Sequence, residues 1–325
     1  MNKIALVLSG GGAKGFAHIG VLKALEEHDI SPDIIVGTSM GAIIGGFYSS
    51  GVSLKDIEEI ASTFDWKEFA KILVLPTSET GIIKGDKIVK FFRNIIGYTK
   101  IEDLSTKFSA VAFDLKNNCE TIIDGGDLVS ALRASMAIPM IFSPFIYKGR
   151  VLFDGGLINP LPIDVAKEYN PNTIIAVNVM KKKIKNFSRE RIGINLDYYK
   201  DKNKKKKRKF KKKLDSNFLL KQVKNDSQKN IIKEKIFKLY DFFDDYFDKN
   251  NEDKPLSKMD ILENIFYITQ NYFIESKAGE NNRDVDIYYE PIFDTVNFFD
   301  FSRAKYLIDK AEKEMKKILD DKNIK

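Results

Sequence analysis

The sequence is poor in the residues that usually hold small secreted folds or metal sites together. Cysteine occurs once, at Cys119, which excludes an internal disulfide and a cysteine-built zinc site and leaves that thiol to act as a small hydrophobe. Histidine occurs twice, at His18 and His28. Nowhere do roughly 18 apolar residues run together without a charge, so no transmembrane helix is available and any membrane contact is peripheral. The first residues, Met1 to Ser9, read as a short apolar strand running into glycines. They lack the longer apolar core and small-residue cleavage site of a secretory signal, and the expected location is the cytoplasm.

What is present is a chain of 325 residues, 43% hydrophobic, long enough for a large core. Its charge is segregated. Residues 181–213 hold 17 Lys/Arg against 3 Asp/Glu, a surplus of 14, so with a total of +7 the rest of the chain is acidic by 7. From Lys3 to about Val179, short β-branched runs alternate with helical spacing, the pattern of a mainly parallel sheet with helices on both faces. The strand candidates are residues 4–8, 34–36, 109–113, 121–123, 151–153 and 173–177. Helices are expected over 20–28, 54–63, 84–95, 128–136 and 162–168, with Ser53 and Asp127 as N-caps.

After Met180 the composition turns to Lys, Asn and Asp, and 202–213 is low-complexity. Amphipathic helices are expected at 231–248 and 256–277. A strand is expected next at 285–289, then a helix at 302–319 capped by Ser302. This divides the chain into a core of 1–180, a Lys-rich, largely helical insertion or lid of 181–283, and a returning strand and helix in 284–325.

Ser9-Gly10-Gly11-Gly12-Ala13-Lys14-Gly15 lies between the first strand and a helix, where backbone N–H groups and the helix's positive end converge as an anion hole. Its Gly10-x-Gly12-x-x-Gly15 spacing also meets the dinucleotide fingerprint, which requires an acidic residue at the end of the second strand. Asp33 precedes that strand. Beyond the strand stands Gly37-Thr38-Ser39-Met40-Gly41, a strand-turn-helix nucleophile elbow. The glycines leave room for a turn tight enough to lift a serine hydroxyl above the sheet. Loop and elbow together supply a nucleophile, Ser39, and separate donors for an oxyanion, the N–H groups around Gly10, Gly11 and Gly12 with that of Met40.

The usual partner of such a serine is a histidine further along the chain. Here both histidines precede Ser39, and both read as packing or capping residues, so the base must be a carboxylate or a lysine. Two aspartates stand in the same setting, Asp124-Gly125-Gly126 after 121–123 and Asp154-Gly155-Gly156 after 151–153. Spacing alone does not choose between them. Either would need a desolvated site to work as a base near neutral pH.

Four blocks resemble the patatin-like phospholipases. They are Leu8 to Gly15, Gly37 to Gly41, Ala134-Ser135-Met136-Ala137-Ile138-Pro139 with Pro144, and Phe153-Asp154-Gly155-Gly156-Leu157-Ile158-Asn159-Pro160-Leu161-Pro162. The resemblance covers about 3–179 and does not extend over 181–283. It implies a lipid acyl hydrolase with a serine-aspartate dyad on an α/β sheet, and it selects Asp154 over Asp124 because only Asp154 follows the Ser-x-Ala-Ile-Pro block and precedes the Asn-x-x-Pro turn. It further implies a lipid ester substrate. No metal or organic cofactor is expected, since no His/Cys/carboxylate cluster stands at ligand spacing and the nucleotide motif fails at the second strand. Lys14 would lend electrostatic support beside the loop. For the basic run at 181–213 three readings stay open: a solvated loop, a peripheral contact with anionic membrane, or a nucleic-acid contact. Of these, nucleic acid is not the expected partner.

Overall fold

The computed structural model of the protein describes residues 2–63, 85–180, 258–281, 285–293 and 295–322. By contact the chain divides into a unit of 1–183 with 263–325 and a unit of 184–262, of which only 258–262 are among the described residues. The basic run at 181–213 and the helix expected at 231–248 lie outside them.

The β-branched runs form the sheet. Its strands are β1 (Ile4–Leu8), β2 (Ile34–Thr38), β3 (Lys107–Asp114), β4 (Cys119–Ile123), β5 (Phe145–Tyr147), β6 (Arg150–Asp154), β7 (Thr173–Val177) and β8 (Ile287–Tyr289). They are ordered β5-β6-β3-β2-β1-β7-β8, with β4 also paired to β3. The pairs β1/β2, β1/β7, β2/β3 and β7/β8 are parallel, whereas β3/β4, β3/β6 and β5/β6 are antiparallel. Every residue of β2 and β7 is buried, as expected of parallel strands covered on both faces. Strand β5, only three residues long, has no counterpart among the runs read from sequence.

Helices α1 (Ala17–Glu27), α2 (Met40–Ser49), α3 (Leu54–Thr63), α4 (Asp86–Ile96), α5 (Leu128–Ser135), α6 (Ile163–Lys167), α7 (Lys258–Asn281) and α8 (Ala304–Lys322) accompany the sheet. Alternation along the strands sends Ala5, Val7, Ile34 and Val36 to one face, packed with Val165 of α6 and Tyr267 and Ile274 of α7. Leu8, Ile35 and Phe108 go to the other, against Gly45 of α2. The chain thus rejoins the core along α7, ahead of the boundary at 284 expected from composition.

Local capping follows the sequence at two helices. Asp127 accepts from the Ser130 N–H at 2.8 Å, and Ser53 from that of Asp56 at 3.1 Å. At α8 it does not: a 3-10 turn over Phe301–Arg303 leads into the helix, and the Ser302 hydroxyl donates instead to Asp300 at 2.7 Å. Helix α8 lies so close on α1 that a Cβ at Gly20 would sit 2.2 Å from the Ile308 carbonyl.

The central strand β3 organises the site. Its residues 110–114 pair with β4 while 112–114 pair with β6, so β4 and β6 occupy opposite edges. Strand β2 pairs with 107–111, which overlaps β4 at 110 and 111. Strands β2 and β6 therefore share one edge of β3 end to end. Thr38 stands opposite Val111 and Asp154 opposite Ala112, so the residue after β2 and the last residue of β6 meet.

Candidate active site

Ser39 occupies the turn between β2 and α2 with φ 54 and ψ −118, a left-handed conformation that costs a non-glycine residue about 1–3 kcal/mol. Close packing holds it there. A Cβ at Gly37 would lie 2.6 Å from the Ala42 nitrogen, and one at Gly41 only 2.3 Å from the Leu8 carbonyl. The Ser39 N–H donates to Ser135 Oγ at 2.9 Å, and the Ser135 hydroxyl donates on to the Val111 carbonyl at 2.6 Å. Ser135 thus ties the elbow to β3, a link that the sequence did not reveal.

The Ser39 hydroxyl donates to Asp154 Oδ2 at 2.6 Å, and Asp154 Oδ1 accepts from the Gly156 N–H at 2.7 Å. Asp154 is fully buried. Burial raises its pKa from 3.8 to about 7, against the smaller lowering effects of the Ser39 and Gly156 hydrogen bonds. Asp124 is exposed and lies elsewhere, where its charge acts on Tyr169. The structure therefore brings Asp154, and not Asp124, to Ser39.

The glycine loop folds as a 3-10 turn over Gly12–Phe16. Gly10 was expected among the anion-holding donors, but its N–H donates to the Pro160 carbonyl at 3.0 Å. This ties the loop to the Asn-Pro turn and commits the donor. A Cβ at Gly10 would make only ordinary contact with Ser39, 3.5 Å from its Cβ. The N–H groups of Gly11, Gly12 and Met40 have no acceptor among the described residues.

Both histidines are structural. His18 is buried, and its Nε2–H donates to the Ser9 carbonyl at 2.8 Å. Burial lowers its pKa to about 4, so the ring is neutral where it braces the loop. His28 pairs with Asp320 at the surface. Lys14 is buried with its ammonium 5.4 Å from the Tyr267 ring centre.

Gly12, Ser39 and Met40 border a cavity of about 100 Å³ whose other lining residues are all apolar, among them Ile43, Phe47, Phe92, Phe142 and Phe298. On another side Gln270 of α7, fully buried, presses on Gly156 and approaches Gly10. Its carboxamide has no partner among the described residues. The sequence placed this residue in the insertion, where no motif marked it. Among the described residues no cluster of His, Cys, Asp and Glu could hold a metal, and no helix is long and apolar enough to cross a membrane.

A helix-covered, mostly parallel sheet with a strained serine between its second strand and second helix defines the patatin-like α/β fold. The family model described as patatin-like phospholipase matches residues 6–167, and the chain belongs to that family. An uncharacterised NTE family protein of Mycobacterium tuberculosis is 37% identical over 177 residues, 54% of this chain and 49% of the relative. Lysophospholipase NTE1 of Candida albicans is 32% identical over 179 residues, 54% of this chain and 13% of the relative. Patatin-like phospholipase domain-containing protein 6 of Mus musculus is 35% identical over 188 residues, 55% and 14% respectively. The chain thus spans about half the length, or less, of these curated relatives.

Proposed function

We propose that the protein hydrolyses lipid acyl esters, with Ser39 as nucleophile and Asp154 as its base. The observation that carries this reading is the 2.6 Å contact between the hydroxyl of a strained serine and a fully buried carboxylate, beside an apolar cavity. In water a carboxylate is too weak a base for serine. Raised to about 7 by burial, Asp154 is half ionised near neutral pH, where proton transfer to and from it serves catalysis best.

In acylation Asp154 takes the Ser39 proton while Oγ bonds to the ester carbonyl carbon. The oxyanion is held by the N–H groups of Gly11, Gly12 and Met40, helped by the positive end of α2. The C–O bond to the alcohol then breaks, and the proton on Asp154 passes to the departing oxygen. Water repeats the sequence on the acyl-enzyme and releases the fatty acid, whose chain lies in the apolar cavity. Glycerophospholipids and lysophospholipids are the proposed substrates, a choice supported by the family's description and the name of the Candida relative.

Labelling with a fluorophosphonate, alongside a panel of phospholipids, lysophospholipids and acylglycerols, tests the proposal. Wild type should label and release fatty acid, and Ser39→Ala should do neither. Equal labelling of the two proteins would refute it.

A further inference from the structure

Three residues of β3 continue past the end of β2, and they carry a second feature. Asp114 ends this extension with its side chain buried. Its carboxylate accepts from Asn117 Nδ2 at 2.6 Å, from the Lys116 N–H at 3.0 Å and from Arg150 Nη1 at 3.1 Å. Two further bonds cross the same gap, from the Leu115 N–H to the Val151 carbonyl at 2.9 Å and from Lys116 Nζ to the Gly149 carbonyl at 3.2 Å. The β3–β4 turn and the β5–β6 hairpin are thereby joined into one rim. Since a strand rises about 3.3 Å per residue, this rim stands about 10 Å beyond the Ser39–Asp154 pair.

Large hydrophobic side chains on the rim are turned out to solvent: Leu115 is 55% exposed, Ile146 63% and Tyr147 51%. Met140 is 67% exposed and sits in the loop whose Ile138, Ile141 and Phe142 line the apolar cavity. Among the described residues, the charges on the rim that no carboxylate pairs are lysines. Arg150 is neutralised by the buried Asp114, and residues 115–119 and 136–153 otherwise contain Lys116 and Lys148 and no Asp or Glu, although the chain outside 181–213 is acidic overall. Lys148 lies over the Tyr147 ring at 5.2 Å. Exposed aliphatic and aromatic groups interleaved with cations match the headgroup boundary of an anionic bilayer, where tyrosine straddles the polar and apolar layers and lysine meets phosphate.

We propose that this rim, Leu115–Lys116 with Ile146–Arg150, is the surface on which the protein docks to an anionic phospholipid bilayer. The inference rests on the lipid-hydrolase reading for its choice of partner. Docking there sets the site beside the headgroups and lets an acyl chain enter the cavity past the 136–142 loop. Each lysine in reach of an anionic membrane strengthens binding about fivefold. The surface contains no residue of the basic run at 181–213.

Sedimentation of the full chain with vesicles of phosphatidylcholine, with and without phosphatidylglycerol, tests this. Wild type should prefer the anionic vesicles. Ile146→Asp/Tyr147→Asp should weaken binding and hydrolysis of vesicle lipid at least tenfold while leaving cleavage of monomeric p-nitrophenyl butyrate unchanged. Should that pair melt early, Lys116→Gln/Lys148→Gln tests the charge instead, with an expected loss of tenfold or more on anionic vesicles. Undiminished vesicle binding by a folded variant overturns the proposal, as does a wild type that ignores vesicles. A wild type that dimerises through the edge strand β5, with Ile146→Asp/Tyr147→Asp monomeric and vesicle binding intact, assigns the rim to a second copy instead. If wild type fails on butyrate yet binds vesicles through the rim, the hydrolase reading falls and the docking surface stands.

Discussion

Strands β2 and β6 reach the same point on β3 from opposite directions, and each secures its functional residue by a different physical device. Ser39, after the wholly buried β2, is held by close packing in a strained backbone conformation, which is insensitive to pH. Asp154 ends β6, an antiparallel strand with an exposed start, and what marks it out is the cost of a buried charge, which depends on pH throughout. Strain at one end and desolvation at the other are separate stores of unfavourable energy, and substitution can release them one at a time.

The largest test breaks both devices by chemistry. Ser39→Ala and Asp154→Asn should each lower kcat by about 10³-fold or more, and the double variant should lose little beyond either single one, because the two groups act as a unit. Asp124→Asn should keep full activity. In wild type, kcat/KM should rise with pH through about 7 as Asp154 ionises, and then level off.

Next in size is stability. Because the Asp154 pKa is raised from 3.8 to about 7, the folded protein binds more protons than the unfolded chain between those values. Stability from this group is therefore full below pH 3.8 and is lost as pH rises through 7. Asp154→Asn removes that loss. Its melting temperature should exceed that of wild type at pH 8–9, by a margin worth up to about 4 kcal/mol, and the two should converge near pH 4. A margin that stays constant with pH would contradict the assignment of a buried charge.

Smaller effects sharpen the contrast on the serine side. Ser135→Ala removes the acceptor for the Ser39 N–H and one link to β3. It should cost about 1–2 kcal/mol in urea unfolding and about tenfold in kcat, with no shift in the pH profile. Ser39→Gly should stabilise the fold by about 1 kcal/mol at low pH, since glycine adopts a positive φ without strain, and the gain should shrink above pH 7, where the Asp154 carboxylate has lost the Ser39 hydrogen bond.

The same contrast explains what was legible in the sequence. Ser39 is fixed by its immediate neighbours, and Gly37, Gly41 and the flanking strand and helix announce it. Asp154 is fixed by partners 115 residues away in the chain, and its local wording, a β-run followed by Asp-Gly-Gly, recurs at Asp124. Only the family blocks separated the two. The commitment of the Gly10 N–H to Pro160 and the approach of Gln270 to Gly156 are equally long-range, so neither leaves a periodic or capping signal. Strand β5 was missed because three residues after Pro144 are too few to show alternation.

The meeting of β2 and β6 on β3 also sets an order of events during synthesis. Ser39 is made early, but its partner arrives 115 residues later, and the glycine loop is tied in place by bonds from the Ser9 N–H to Val177 and from the Val179 N–H to Ser9 Oγ. A nascent chain that has not yet released residues 154–179 therefore holds Ser39 without the Asp154 carboxylate and a glycine loop without its anchors. On the proposed mechanism, the serine gains its base only when the centre of the sheet is closed.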